Sequence, residues 1–257
     1  MVLRIAKGVA APWLRIAHRG ASGTAPEHTR AAFVRALDIG VDMIELDVQL
    51  TRDEQLVILH DHELERTTNG RGLVRDQTLA EIKSLDAGSW FGPEFAGETV
   101  LTLSEVLGLV GTAARLNVEV KASCADCAVL VPRLIHTLDR CQAIESTIIS
   151  CFEPEALSVV REHSDRARLG LLWQNADFDE AWRWAAGLDA VSIHPLWVLI
   201  SSDVVHAAHT RALKVLTWTV NEIAAVKALV RQGVDGIMSD FPERLHAVSE
   251  ASPSNQS

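Results

Sequence analysis

The sequence predicts an α/β fold, a (β/α)8 TIM barrel with a small insertion after its second strand. The chain has 257 residues, 48% of them hydrophobic, which suits one large core. Short apolar runs of strand length alternate with segments of helical periodicity along most of the chain. Repeated βα units imply parallel strands, and eight of them imply closure into a barrel.

The first unit begins with a strand over 14–17, followed by a loop of small residues and a helix over 27–37. Apolar residues recur at helical spacing in that helix. Thr29 suits its entry and Gly40 its exit, since a hydroxyl can cap the first turn and glycine tolerates a left-handed end.

The second strand is predicted as the first arm of a hairpin within 42–61, where two apolar runs with period two flank the polar turn 51–54. Glu45 and Asp47 share one strand face. Folding back at the turn places His60 roughly level with Asp47. Two buried carboxylates repel unless a cation or proton intervenes. The alternative is a salt-bridged strand pair that faces solvent.

Residues 62–98 are too long and irregular for an ordinary connection. Turns rich in glycine surround one short predicted helix near 79–84. Apolar residues in this segment argue for an ordered structure. We therefore predict one domain, 1–257, that carries 62–98 as a cap-like insertion.

The later units follow a regular rhythm of strand and helix. The remaining strands are predicted at 116–120, 147–151, 168–172, 190–193, 215–218 and 236–238. The helices are predicted at 103–113, 125–138, 154–163, 177–186, 202–211, 221–232 and 242–249. A polar tail over 251–257 ends the chain.

Composition excludes some partners and locations. The net charge is −10 and the isoelectric point is near 5.4, whereas a nucleic-acid partner requires a basic face. No apolar run reaches about 18 residues and no signal-peptide pattern opens the chain. The four cysteines are too few for a disulfide framework. These features predict a cytoplasmic protein without stable membrane insertion.

Polar residues collect at the carboxyl ends of the predicted strands, where a barrel of this class carries its site. They are His18, Arg19, Glu45, Asp47, Glu119, Lys121, Trp218 and Asp240. Three of them, Glu45, Asp47 and Glu119, form an oxygen-only set that suits one divalent cation, Mg²⁺ or Ca²⁺.

The other rim residues suit an anionic substrate. Arg19 and Lys121 offer cationic donors to a phosphate. Histidine is the side chain best suited to proton transfer near neutral pH, so His18 and His60 are candidates for that role. Singly, each has a structural interpretation, such as a hydrogen-bonded strand-end histidine or an intrastrand Glu-x-Lys pair. Their convergence on one rim favours phosphodiester cleavage.

Several motifs together resemble the glycerophosphodiester phosphodiesterase family, and the resemblance runs from about residue 16 to residue 242. They are His18-Arg19-Gly20, Pro26-Glu27-x-Thr29, Glu45-x-Asp47, His60-Asp61, Glu119-x-Lys121 and Thr217-Trp218-Thr219-Val220-Asn221. The resemblance implies a TIM barrel with an insertion and a small glycerophosphodiester as substrate. The expected products are sn-glycerol 3-phosphate and an alcohol.

The resemblance also implies residue roles. His18 and His60 would be the acid/base pair, and Glu45, Asp47 and Glu119 the metal ligands. Arg19 and Lys121 would surround the phosphate, and Trp218 would line the pocket. The glycerol 2-hydroxyl would attack phosphorus, the alcohol would leave with a proton from one histidine, and the cyclic phosphate would then be hydrolysed.

One position departs from the family, which usually has Asn where this chain has His28. Histidine can form similar hydrogen bonds, so we expect altered local geometry and retained activity.

Two other functions remain open from the sequence. A lysophospholipase D would need an apolar groove, which Trp90, Phe91, Phe95 and residues 196–200 could supply. A non-catalytic phosphoester-binding barrel would have lost a ligand or a proton-transfer group, yet all of these residue types are present.

Overall fold

The structure, a computed structural model, describes residues 13–121 and 124–250, without the side chains of 124, 125 and 250. Within them, eight parallel strands close into a barrel, which confirms the predicted TIM-barrel class. The strands are β1 (Leu14–His18), β2 (Met43–Leu50), β3 (Leu56–Ile58), β4 (Arg115–Val120), β5 (Thr147–Cys151), β6 (Arg168–Trp173), β7 (Ser192–Pro195), β8 (Lys214–Thr217) and β9 (Gly236–Ser239).

The sheet order is β1-β9-β8-β7-β6-β5-β4-β2-β3, and pairing of β1 with β2 closes the ring. Among the strands of the described residues, only β3 stands outside the ring, as the antiparallel return arm of the β2 hairpin. The predicted polar tail over 251–257 and the first twelve residues lie outside the described residues.

Apart from one short helix within 62–98, the described helices cover the outside of the barrel and bury an apolar stripe against it. They are α1 (Arg30–Ile39), α2 (Leu79–Lys83), α3 (Leu103–Val110), α4 (Cys124–Arg140), α5 (Pro154–His163), α6 (Phe178–Gly187), α7 (Ser202–His209), α8 (Ile223–Gln232) and α9 (Pro242–Glu250). Thr29 caps α1 by accepting from the Ala32 amide, and Gly40 ends it with φ of 80°, as predicted. None of the described helices is long and apolar enough to cross a membrane.

Parallel register places the predicted site residues at one end of the barrel. His18 pairs with Glu45 between β1 and β2, and Asp47 pairs with Glu119 between β2 and β4. Inward-facing side chains of neighbouring strands therefore meet at the carboxyl end.

The segment 62–98 packs around its own small apolar cluster, which includes Leu64, Val74 and Ile82. Val57 on β3 and Val100 belong to the same cluster, so the segment is anchored beside the β2 hairpin. This anchoring holds the segment next to the carboxyl end of β2.

The predicted strand at 190–193 is wrong by two residues, because β7 spans Ser192–Pro195. Ser192 and His194 are fully buried and hydrogen-bonded to each other at 2.8 Å inside the barrel. Polar residues that face a barrel interior do not show the apolar alternation by which a strand is recognised. The apolar residues just before them gave the stronger signal.

Candidate active site

The centre of the site is a group of three carboxylates on adjacent strands. Glu45, Asp47 and Glu119 are 2%, 1% and 9% exposed, so the alternative of a solvent-facing strand pair is wrong. One carboxylate oxygen from each lies within 4.8 Å of the other two. Three acidic groups this close, cut off from water, require a compensating positive charge.

The pKa values of the three carboxyl groups reflect this need for positive charge. Burial, with repulsion from Asp47 and Glu119, raises the pKa of Glu45 well above its usual value. Burial and the charge of Asp47 raise the pKa of Glu119 to about 7. Burial opposes ionisation of Asp47 too, but the close contact with His28 and the charge of Lys121 hold its pKa low.

Two cationic side chains from the rim face the same carboxylates. The Lys121 ammonium contacts Glu119 and lies 3.2 Å from Asp47 Oδ1. Arg19 Nε lies 3.5 Å from Asp47 Oδ2, and Nη1 donates to Glu27 at 3.0 Å. The Arg19 backbone has a φ of 58°, and its amide donates to Glu45 Oε2 at 3.0 Å. This left-handed turn carries the guanidinium back over the carboxylates.

His18 is oriented by a chain of polar contacts from the end of β9. Its Nδ1 lies 2.6 Å from Asp240 Oδ1, while Asn221 and Ser22 donate to the same carboxylate at 2.7 and 3.0 Å. Burial acts to raise the pKa of Asp240, but the hydrogen bond and charge of His18, together with the hydrogen bonds from Asn221 and Ser22, outweigh it and lower the pKa to about 2. An ionised carboxylate only accepts, so His18 Nδ1 carries a proton and Nε2, 3.9 Å from Glu45 Oε2, faces the site.

His60 follows β3 and has a similar partner. Its Nδ1 lies 2.6 Å from Asp61 Oδ1. Burial lowers the pKa of His60 below its usual value. The Gln49 amide donates to the carbonyls of Leu59, His60 and Asp61 at 2.9, 3.2 and 2.7 Å and so fixes this loop. The Leu59 amide donates to the Asp47 carbonyl at 3.1 Å, so Leu59 is the residue opposite Asp47. His60, which was predicted to lie level with Asp47, lies one residue further along the chain.

Trp218 lies at the end of β8 on the opposite side of the rim. Its indole donates to the His194 carbonyl at 2.8 Å and meets the Phe152 ring edge-on at 5.4 Å between centroids. The Trp218 carbonyl accepts from the Trp197 amide at 3.2 Å, which places Trp197 and Val198 beside it. These two are 37% and 60% exposed, so this side of the rim is apolar.

His28 is 3% exposed beneath the site and has a φ of 62°. Its Nε2 accepts from the Asp47 amide at 3.3 Å and lies 3.2 Å from Asp47 Oδ2. The side chain thus supports the backbone and the carboxylate of one candidate metal ligand.

Comparison with known proteins identifies the family. A sequence profile of the glycerophosphoryl diester phosphodiesterase family matches residues 18–244. The chain belongs to this family. A glycerophosphodiester phosphodiesterase of Caldanaerobacter subterraneus subsp. tengcongensis is 42% identical over 233 residues, which cover 90% of this chain and 96% of the relative. The predicted family and enzyme class are confirmed.

Solved structures of the glycerophosphodiester phosphodiesterase family have the same fold. The Oleispira antarctica phosphodiesterase, determined in complex with the product sn-glycerol 3-phosphate, has a TM-score of 0.88 and 31% identity, covering 94% of this chain and 98% of that one. The Agrobacterium tumefaciens glycerophosphodiester phosphodiesterase has a TM-score of 0.80 and 28% identity, with coverage of 90% and 98%.

The donor set fits the divalent cation that the glycerophosphodiester phosphodiesterase family implies. Both Asp47 carboxylate oxygens are buried without a hydrogen-bond partner among the described residues. Glu45 and Glu119 add oxygens within 4.8 Å. Oxygen-only ligands with unused lone pairs suit a hard cation.

Sequence reasoning assigned no role to several residues that hold the predicted ones. Asp61 and Asp240 orient the two histidines, and Glu27 and Arg66 tie Arg19 and Asp61 together. Asp61 could have been found from its position next to His60. The Arg66 contacts carry no comparable sequence signal, because they join separate loops.

Proposed function

We propose that the chain hydrolyses glycerophosphodiesters to sn-glycerol 3-phosphate and an alcohol. The observation that carries the proposal is the group of three buried carboxylates beside two histidines, each with an aspartate at its Nδ1. The family membership and the product seen in the Oleispira antarctica phosphodiesterase support the same reaction.

We assign Glu45, Asp47 and Glu119 as the ligands of one divalent cation, Mg²⁺ or Ca²⁺. When bound, the cation supplies positive charge for phosphate oxygens and balances the crowded carboxylates. Either ion suits the oxygen ligands.

Arg19 and Lys121 are positioned to add two further positive charges beside the phosphate. Arginine and lysine donate charge-assisted hydrogen bonds to phosphate oxygens, and these bonds strengthen where water is excluded. In the resting site both cations lie against Asp47. Their role in substrate binding is to hold the phosphate against the carboxylate group.

The two histidines carry the proton transfers. One unprotonated Nε2 removes the proton of the glycerol 2-hydroxyl, whose oxygen attacks phosphorus. The other histidine gives a proton to the departing alcohol oxygen as its bond to phosphorus breaks. Water then opens the cyclic phosphate with the roles reversed. The aspartates on Nδ1 stabilise each imidazolium and fix its orientation.

Release of glycerol 3-phosphate from glycerophosphocholine tests the proposal, with Mg²⁺, Ca²⁺ or EDTA present. We expect release that EDTA abolishes and that Glu45→Gln and His18→Gln each reduce strongly. Release that persists in EDTA and in Glu45→Gln would contradict the metal site. No release with Mg²⁺, Ca²⁺ or Mn²⁺ across several head groups would favour a non-catalytic phosphoester-binding barrel.

A lysophospholipase D is a second candidate, favoured by the exposed Trp197 and Val198 beside Trp218. Their apolar surface can hold an acyl chain next to the phosphate. Preference for long-chain lysophosphatidylcholine over glycerophosphocholine, reduced by Val198→Ser, would support it. Equal effects of Val198→Ser on both substrates would count against it.

The single-domain organisation, with 62–98 as a cap-like insertion, and the cytoplasmic location stay predictions. A folded 13–250 fragment with full activity would support the first of these.

A further inference from the structure

Arg66, in the segment 62–98, uses its guanidinium to join two carboxylates of different loops. Nη1 and Nη2 donate to the two oxygens of Glu27, each at 2.8 Å. Nε donates to Asp61 Oδ2 at 2.5 Å and Nη2 to Asp61 Oδ1 at 3.2 Å. All three guanidinium nitrogens are therefore engaged, in the paired geometry that gives arginine contacts their directionality.

Each of these carboxylates holds a residue of the candidate site. Glu27 also accepts from Arg19 Nη1 at 3.0 Å. Asp61 lies 2.6 Å from His60 Nδ1. Arg66 is thus one side chain away from both the proposed phosphate-binding arginine and one proposed acid/base histidine.

We propose that Arg66 is a positioning residue that aligns His60 through Asp61 and Arg19 through Glu27. This inference rests on the proposed function. Arg66 touches neither histidine nor phosphate, so its effect passes through the two carboxylates. A small misplacement of catalytic groups by a distant substitution can cost about 10²-fold in rate.

The same contacts give the segment 62–98 a role in the reaction. Glu27 lies between β1 and α1, and Asp61 follows β3, so Arg66 fixes the distance between these two loops. Without the Arg66 guanidinium, Glu27 keeps its contact with Arg19 and Asp61 keeps its contact with His60. The two loops, however, lose the side chain that joins them. Lysine cannot replace the guanidinium, because a single ammonium has no planar pair of donors.

Arg52 offers a matched control. It also ties the β2 hairpin to the segment 62–98, by donating from Nη1 to the Asp76 carbonyl at 2.9 Å and placing Nη2 at 3.3 Å from Glu81. Its contacts reach no residue of the candidate site. Arg52→Lys therefore reports the effect of loosening the segment alone.

Steady-state kinetics distinguishes the contact that runs through Asp61 from the contact that runs through Glu27. We expect Asp61→Asn to lower mainly kcat, Glu27→Gln to raise mainly KM, and Arg66→Lys to do both, with kcat/KM reduced about 10²-fold. Arg52→Lys should leave both constants within about twofold of the natural enzyme, the usual outcome for a surface change. Equal losses in Arg66→Lys and Arg52→Lys would overturn the proposal.

The imidazole of His60 gives a readout without substrate. In ¹H–¹⁵N spectra, assigned with His60→Gln, we expect the natural chain to hold the Nδ1-protonated tautomer. Arg66→Met, Arg66→Lys and Asp61→Asn should each shift it toward a tautomer mixture, while Arg52→Lys should not.

An unchanged His60 tautomer in both Arg66 variants would overturn the positioning role, whatever the substrate proves to be. Should Arg66→Met not fold, Arg66→Lys gives the same readout with the charge retained. Failure of the proposed function would appear separately, as absence of glycerol 3-phosphate release by the natural chain.

Discussion

At the two ends of the barrel, the pKa values of carboxyl groups are shifted in opposite directions. At the amino end, Arg15 pairs with Asp42 at 2.8 Å, and Lys214 pairs with Asp235 at 2.7 Å. Although burial opposes ionisation there, hydrogen bonds from these cations lower the pKa of both aspartates. At the carboxyl end, burial and mutual repulsion raise the pKa of Glu45 and Glu119.

This difference between the two ends distinguishes ion pairs that stabilise the fold from a candidate metal site. Each amino-end aspartate has a cation at hydrogen-bond distance and partial access to water, so its charged form is satisfied. At the carboxyl end, three buried carboxylates share two side-chain cations, and Asp47 has oxygens with no hydrogen-bond partner among the residues described. A group of acids that these side-chain cations compensate only in part is suited to hold a further cation.

The largest expected contrast is between two histidines that each contact an aspartate. His18 lies 2.6 Å from Asp240 at the carboxyl end, and His209 lies 2.7 Å from Asp235 at the amino end. We expect His18→Gln to lower kcat by about 10²- to 10⁴-fold, because it removes a proton-transfer group. His209→Gln should leave kcat unchanged in steady-state assays. A comparable loss in both variants would remove the contrast.

A second prediction concerns the pH dependence of stability in EDTA-treated protein. Glu119 has a folded pKa of about 7 against a usual value of 4.5, so the folded chain keeps a proton that the unfolded chain has lost. The free energy of unfolding should therefore fall as pH rises between these values. Urea titrations across this range should show the fall, and Glu119→Gln should reduce it.

Asp42 is the control for that titration. Its folded pKa lies below its usual 3.8, so its contribution to stability is present above that value and is lost as pH falls further. Asp42→Asn should leave the slope above pH 4.5 unchanged. An identical slope in the natural chain and in Glu119→Gln would contradict the raised pKa.

The smallest effect is expected at the amino end. Lys214→Met breaks a pair whose lysine side chain is 67% exposed. Solvent-exposed pairs contribute about 0 to 1 kcal/mol to the free energy of unfolding, so the change should stay in that range and activity should not change. Denaturant unfolding and a turnover assay check both. A clear loss of activity would show that the amino end also serves the site.

Much of the fold followed from local patterns. The helix boundaries at Thr29 and Gly40 reflect capping chemistry that adjacent residues determine. Glu45 and Asp47 could be placed on one face because strand periodicity is fixed. The carboxyl-end rule for parallel barrels then brought Glu119 to them.

The supporting contacts needed three-dimensional structure. Asp240 reaches His18 from the other end of the chain because β9 closes the barrel beside β1. Arg66 reaches Glu27 because an irregular segment folds over the rim. Neither contact has a periodicity or spacing that a sequence displays. The shift of β7 has the same origin, since His194 is polar but faces the barrel interior.

The metal site is tested most directly by calorimetric titration of the EDTA-treated chain with Ca²⁺ and with Mg²⁺. We predict one divalent ion per chain, with binding lost in Asp47→Asn and retained in Asp42→Asn, which changes an aspartate at the opposite end of the barrel. Equal binding by the natural chain and Asp47→Asn, or no binding of either ion by the natural chain, would contradict the assignment of Glu45, Asp47 and Glu119 as the metal ligands.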